Sequence, residues 1–244
     1  MEWMIFAVLC GYFIKGMCGF ANTLIIGSIL SFVKNNVDIS PVELLLGYPA
    51  NSFLAWKFRR KIDWKVTLPL SVMVVLGAVP GALILKNADT QVIKIVFGLV
   101  VMFLALEMLL RFYRQGEPKA THPAVLVIFA LLSGVMSGMF GIGALLAAYI
   151  SRTVKGSGSF KGTLGFVFFV DNTFRIILYS VTGILQLETL TTVAVLLPFM
   201  LMSFAFGMLA AKKVNEKNIK KLVTVLLMVS GLSLILSNIG SLFS

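Results

Sequence analysis

Acidic residues are scarce in this chain, ten among 244, and histidine occurs once. That histidine, His122, stands beside Pro123 outside the apolar runs, so neither a metal cluster nor a histidine-based triad has its members. Only two cysteines occur, Cys10 and Cys18. They share one apolar segment without CxxC spacing, are read as packing residues, and leave the redox compartment open. No glycine-rich nucleotide loop follows a strand pattern, so ATP coupling within the chain has no support and no cofactor is expected. The opening residues MEWMIF lack the basic stretch of a cleaved signal and are read as mature sequence.

Charge of either sign is thin, at 13% of residues, whereas 59% are hydrophobic and the mean hydropathy is +0.98. Such a composition predicts an all-α polytopic membrane protein. Apolar segments run over 3–33, 41–58, 66–85, 90–113, 123–154, 160–185, 189–211 and 218–239. The connections are too short to hide a soluble domain, so function lies in or beside the lipid bilayer. The net charge of +11 includes no basic face interleaved with aromatics, and is assigned to membrane topology rather than to a nucleic-acid partner.

Eight segments resolve into two sets of four, residues 1–119 and 120–244. Gly16, Met17 and Gly19 align with Gly138, Met139 and Gly141; Asn51-Ser52-Phe53 meets Asn172-Thr173-Phe174; Pro69 meets Pro198, Gly81 meets Gly207, and Ile93-Lys94 meets Ile219-Lys220. An ordered series over four elements marks an internal repeat.

Were all eight segments to cross, lysine and arginine would divide 8 to 11 between the two faces, against the usual cytoplasmic excess. If 3–33 and 123–154 instead turn at their glycines and leave by the side they entered, each repeat crosses three times and the halves are inverted. One face then holds sixteen basic residues, from 57–65, 111–119, 152–161 (Lys161 included) and 212–221. The other keeps Lys34, Lys86 and Lys94, with the acids Glu2, Asp38, Glu43, Asp89 and Glu188. The expected fold is therefore two inverted repeats, each a glycine-broken re-entrant helical hairpin plus three transmembrane helices. The basic face is cytoplasmic and both termini lie outside. Length agrees: about 30 residues of helix span about 45 Å, against ~30 Å of hydrocarbon, whereas two half-helices of ~20 Å reach the midplane and return.

The hairpin tips are the first candidate site. Gly16, Gly19, Gly138, Gly141 and Gly143 permit tight turns with positive φ, and each second half-helix starts there with free amides and a positive dipole end suited to an anion; Asn22 stands at the first of these starts. Close helix packing by small residues is the competing explanation. Asn51-Ser52 and Asn172-Thr173 are repeat-related polar pairs inside spans, either donors to an oxyanion or interhelical glue. Asp171 and Arg175 share a helix face, either as a mutual ion pair or with Arg175 as anion ligand and Asp171 as its orienting partner or a proton carrier. Lys15, at tip depth, must face something negative, substrate or carboxylate. Glu107 lies close enough to a basic helix end to snorkel. Pro69, Pro80 and Pro198 mark kinks or packing breaks.

The openings Gly16-Met17-Cys18-Gly19-Phe20 and Gly138-Met139-Phe140-Gly141-Ile142-Gly143, with Gly77 to Gly81 and Gly207 in the third spans, resemble the TauE/SafE family of sulfite and organosulfonate exporters, also called the toluene-sulfonate uptake permease family. The chain departs from the family's denser glycine clusters at Ala21, Asn22 and Ala144. The resemblance covers the whole chain. It implies a transporter of the bacterial inner membrane, not an enzyme, moving a small anionic substrate such as sulfite, sulfoacetate or another sulfonate by alternating access, with export as the expected direction. A passive anion channel of the same architecture and a partner protein of a membrane complex are the alternatives, and a homodimer is a compatible assembly.

Overall fold

Inside a bilayer no water satisfies backbone N–H and C=O groups, and long apolar runs accordingly fold as helices. In a computed structural model of the chain, residues 1–30, 36–87, 95, 98–99, 102–103, 105–106, 109–110, 123–140 and 143–239 are described, and helix is the only regular structure among them. In order these are α1 (Glu2–Cys18), α2 (Asn22–Leu30), α3 (Asn36–Lys57), a 3-10 turn (Arg59–Lys61), α4 (Trp64–Asn87), α5 (Pro123–Phe140), α6 (Ala144–Thr153), α7 (Ser157–Val181), α8 (Leu187–Ala210) and α9 (Glu216–Ile239). The described residues between 95 and 110 are also helical. Most of the expected span 90–113, with Glu107, lies outside the described residues, as do Gly141 and His122.

The first apolar segment breaks where its glycines stand, but only one of them turns. Gly19 closes α1 in the left-handed region, φ 94° and ψ −6°, donating its N–H to the Lys15 carbonyl at 2.6 Å. Ala21 follows with φ 75°, a conformation that costs a side-chain-bearing residue roughly 1–2 kcal/mol. Gly16 lies inside α1 and Gly138 inside α5, so neither makes the tight turn expected of it, and Gly143 precedes α6 with φ −104°. In the second broken segment the limbs are 18 and 10 residues among the described ones, and α6 is capped at Val154. Half-helices of about 20 Å were expected; α6 is shorter, about 15 Å at 1.5 Å per residue, half the hydrocarbon thickness.

Among the described residues, 64–84, 157–181 and 187–210 are long and apolar enough to cross a membrane. Helix α3, at 22 residues, has the length, but Glu43, Asn51 and Ser52 dilute its apolarity. Exposed apolar stripes recur at helical spacing, Leu68, Val72, Leu76 and Leu83 on α4 and Val225, Val229, Leu232 and Leu236 on α9, as a lipid-facing surface requires. Exposed Trp56 and Trp64 flank the basic residues at 57–61, the place of an interfacial aromatic belt.

Packing between the halves is reciprocal. Helix α1 lies along α8 and α5 along α4, its counterpart; α3 and α7, the two polar spans, pack on each other; α3 also meets α8 as α7 meets α4. Glycines set the spacing. A Cβ placed on Gly207 would meet the Gly16 Cα at 3.1 Å and the Phe13 carbonyl carbon at 2.9 Å, and one on Gly134 would meet the Gly77 Cα at 2.8 Å. Gly138 is pressed likewise against Ala78. For Gly16 and Gly138 close helix packing is thus the structural role, as it is for small residues in membrane bundles generally.

Substitution of Gly207 by valine therefore forces α1 and α8 apart and lowers the stability of the detergent-solubilised protein by roughly 1–3 kcal/mol, read as a fall in Tm. At Gly27, where a Cβ meets nothing within 4 Å, alanine is tolerated and raises Tm through a gain of about 0.5–1 kcal/mol in helix stability.

Candidate functional site

Because α3 and α7 pack on each other beside both tips, their polar residues fall between the starts of α2 and α6. A small cavity of about 30 Å³ opens there. Its wall takes Lys15 from the last turn of α1, Phe20 and residues 21–24 from the first tip, Glu43, Leu44, Gly47 and Asn51 from α3, Gly143 from the start of α6, and Phe168, Asn172 and Arg175 from α7. The first intrahelical bond of α2 runs from the Ile25 N–H to the Ala21 carbonyl, at 3.2 Å. The amides of Asn22, Thr23 and Leu24 therefore have no partner within their own helix, at the end where its dipole is positive.

Lys15 is 2% exposed, and its ammonium donates to Asn22 Oδ1 at 3.1 Å and sits 5.8 Å from the centre of the Tyr12 ring. Asn22 in turn donates through Nδ2 to Thr23 Oγ1 at 3.3 Å. Arg175, also 2% exposed, donates through Nη2 to Ser40 Oγ at 3.1 Å and to the Tyr179 hydroxyl at 2.9 Å. The Tyr179 hydroxyl donates to the Gly138 carbonyl at 2.8 Å, which uses its only proton, so in the 3.1 Å contact with Ser40 the serine is the donor. That chain of bonds ties α3, α5 and α7 together around the guanidinium. Nε of Arg175 has no partner.

The face shared by Asp171 and Arg175 does not produce an ion pair: no nitrogen to oxygen contact within 4.0 Å joins them. Asp171 is fully buried outside the cavity wall and accepts from Ser137 Oγ at 2.5 Å, while its Oδ1 is unpartnered. Ser137 holds the repeat position of Lys15, so the second tip meets α7 through this serine. Ser52 donates to the Tyr48 carbonyl at 2.8 Å and Thr173 to the Phe169 carbonyl at 2.7 Å, while Thr173 Oγ1 also lies 3.3 Å from the Tyr48 hydroxyl across the α3–α7 contact; neither residue borders the cavity. The amides of their neighbours do border it. A Cβ on Gly47 would lie 3.4 Å from Asn172 Nδ2 and 3.9 Å from Asn51 Nδ2, so the absent side chain leaves a gap onto which both amide donors face.

Two residues assigned to opposite membrane faces on charge belong to the interior. Lys161 is buried, its stem against Gly19 and its ammonium 3.4 Å from the Gly16 carbonyl, the negative end of α1. Glu43 is 5% exposed, borders the cavity, and has no hydrogen-bond partner on either carboxylate oxygen. Its position two residues past Pro41, inside the apolar segment, was the available signal, because a carboxylate within a span is expensive unless it serves a site. Gly47, on the wall, and Tyr12, Ser40 and Tyr179, which contact Lys15 and Arg175 from outside it, carried no such signal, because only tertiary packing brings them there. Among the described residues no group of three or more histidine, cysteine or acidic side chains is placed to hold a metal ion.

The wall thus offers a permanently charged guanidinium, an ammonium, amide donors from three asparagines and a helix start, and a single carboxylate, a set that stabilises a small oxyanion. No curated protein and no solved structure matches the chain. The sequence model of the family described as sulfite exporter TauE/SafE matches residues 4–234. The family's members are membrane transporters, and with nearly its whole length matched this chain belongs to the TauE/SafE sulfite exporter family.

Proposed function

We propose that the protein is a secondary transporter that exports a small sulfur-containing anion, sulfite or an organosulfonate such as sulfoacetate, through the cavity between the two tips. The observation that carries this reading is the pair of buried cations, Lys15 and Arg175, on one cavity wall with no carboxylate of the described residues within 4.0 Å of either. Burying an unpaired charge costs several kcal/mol, and a bound oxyanion offsets that cost while taking hydrogen bonds from Asn22, Asn51 and Asn172. Family membership supports the substrate class, and the interior potential of a bacterial cytoplasmic membrane favours outward movement of an anion.

In this reading α1–α2 and α5–α6 are re-entrant hairpins entering from opposite faces, and the halves form inverted repeats with both termini outside. The short α6 and the reciprocal packing of α1 on α8 and α5 on α4 support it. Gly19 and Gly143 keep the tips narrow: a Cβ on Gly143 would run into the Phe168 ring, and Gly19 holds a left-handed turn against the Lys161 stem. Alternating access follows if the two halves rock about the α3–α7 contact and exchange which side opens.

Thermal-shift titration of purified protein with sulfite, sulfate, thiosulfate and several sulfonates tests the ligand class; stabilisation by one of these groups is expected, and no shift with any of them contradicts the reading. Lys15→Met removes one charge-assisted bond, about 1.5–3 kcal/mol, and weakens the stabilising anion at least roughly ten-fold. Gly19→Val eliminates transport in proteoliposomes; retained flux removes the tip from the mechanism. Flux that rises linearly with concentration and shows no counter-transport identifies a passive channel instead.

A further inference from the structure

We propose that Glu43 is the proton-binding residue of the cavity, and that it couples anion binding to uptake of one proton. This deepens the transport reading and rests on it. Glu43 is buried, lines the same cavity as Lys15 and Arg175, and has no hydrogen-bond partner within 3.5 Å of either carboxylate oxygen, with the Thr23 side chain of α2 as its polar neighbour. A structural carboxylate at that depth would be paired with a cation or bonded to donors. This one is held among cations yet engaged by none, the arrangement of a group whose charge changes during function.

The neighbours from every packed element fit that role. Helix α1 brings Lys15 and the Tyr12 hydroxyl, which has Asn22 as its polar neighbour, α2 brings the Thr23 side chain, and α7 brings Arg175, with Asp171 one turn away on Ser137. Helices α2 and α5 contain no charged side chain, and Glu188, the one acid of α8, is exposed at its start. With Glu43 ionised, the three charged groups of the wall sum to one positive charge and the carboxylate repels an entering anion. With one proton from solvent bound on a Glu43 oxygen they sum to two, and the O–H becomes a further donor. Anion and proton therefore favour each other's binding by reciprocal linkage. A monoanion leaving with this proton moves no net charge and is driven by its own gradient, whereas a dianion such as sulfite still carries one negative charge outward down the membrane potential. Asp171, the carrier expected from the sequence, lies outside the cavity wall and already accepts from Ser137.

The experiment uses the full chain in detergent and a probe that stays fully ionised across the titration, methanesulfonate or sulfate, added in weak buffer between about pH 5 and pH 9 while proton uptake and affinity are recorded. Above the Glu43 midpoint wild type takes up close to one proton per anion bound and its affinity falls about ten-fold per pH unit, while below it both effects vanish. Glu43→Gln, a neutral mimic of the protonated acid, binds the probe with little pH dependence and takes up no proton. Glu43→Asp keeps uptake at a shifted midpoint and decides the matter if the glutamine variant does not fold. Uptake in wild type that persists in Glu43→Gln, or that Asp171→Asn alone abolishes, overturns the proposal while leaving an anion site intact. Anion binding without proton uptake does the same. Absence of anion binding in wild type instead removes the transport reading on which it stands.

Discussion

Two cations buried without a carboxylate at contact distance are the constraint on which this structure turns. A guanidinium and an ammonium in the interior of an apolar bundle are tolerated only where hydrogen-bond acceptors, aromatic faces or a counter-anion replace water. Ser40 and Tyr179 hold one side of Arg175, Asn22 and the Tyr12 ring take part of Lys15, and neither cation is neutralised. In the transport reading proposed above, a bound anion makes up that deficit. The rest of the site follows from the same deficit: the open amides at the start of α2, the asparagines facing the Gly47 gap, and one unbonded acid that sets the wall's net charge.

Holding that deficit open requires a stiff frame. Glycine contacts bring α1 onto α8 and α5 onto α4 closely enough that a single Cβ would collide with partner backbone. The tips therefore ride on the long helices of the opposite half. Lys161, reaching from α7 to the carboxyl end of α1, braces the first tip, and Ser137 bonded to Asp171 anchors α7 beside the second.

The sequence displayed the helices, the breaks near Gly19 and Gly143, and the polar pairs at Asn51 and Asn172, because these are local: periodic apolarity, a residue free to take positive φ, amides in an oily run. Gly16 and Gly138 misled for the same reason. A small residue allows a tight turn and a tight helix contact equally, and only the partner helix decides between them. Lys161 and Glu43 were assigned to opposite faces because a charge near the end of an apolar run normally reaches the interface; here α1 and the cavity capture them. The Asp171–Arg175 spacing placed two charges on one face, yet Ser137 and Tyr179, distant in sequence, pull the side chains apart.

The most direct test is to locate an anion in a crystal. Soaking with selenate, a dense analogue of the sulfur oxyanions, and collecting anomalous data at the selenium edge places the ion without reference to activity. The account predicts a peak inside the cavity, within about 3–4 Å of Lys15 Nζ and the Arg175 guanidinium. Selenium found only at the exposed lysines and arginines near 57–65 and 212–213, with the cavity empty, would contradict it.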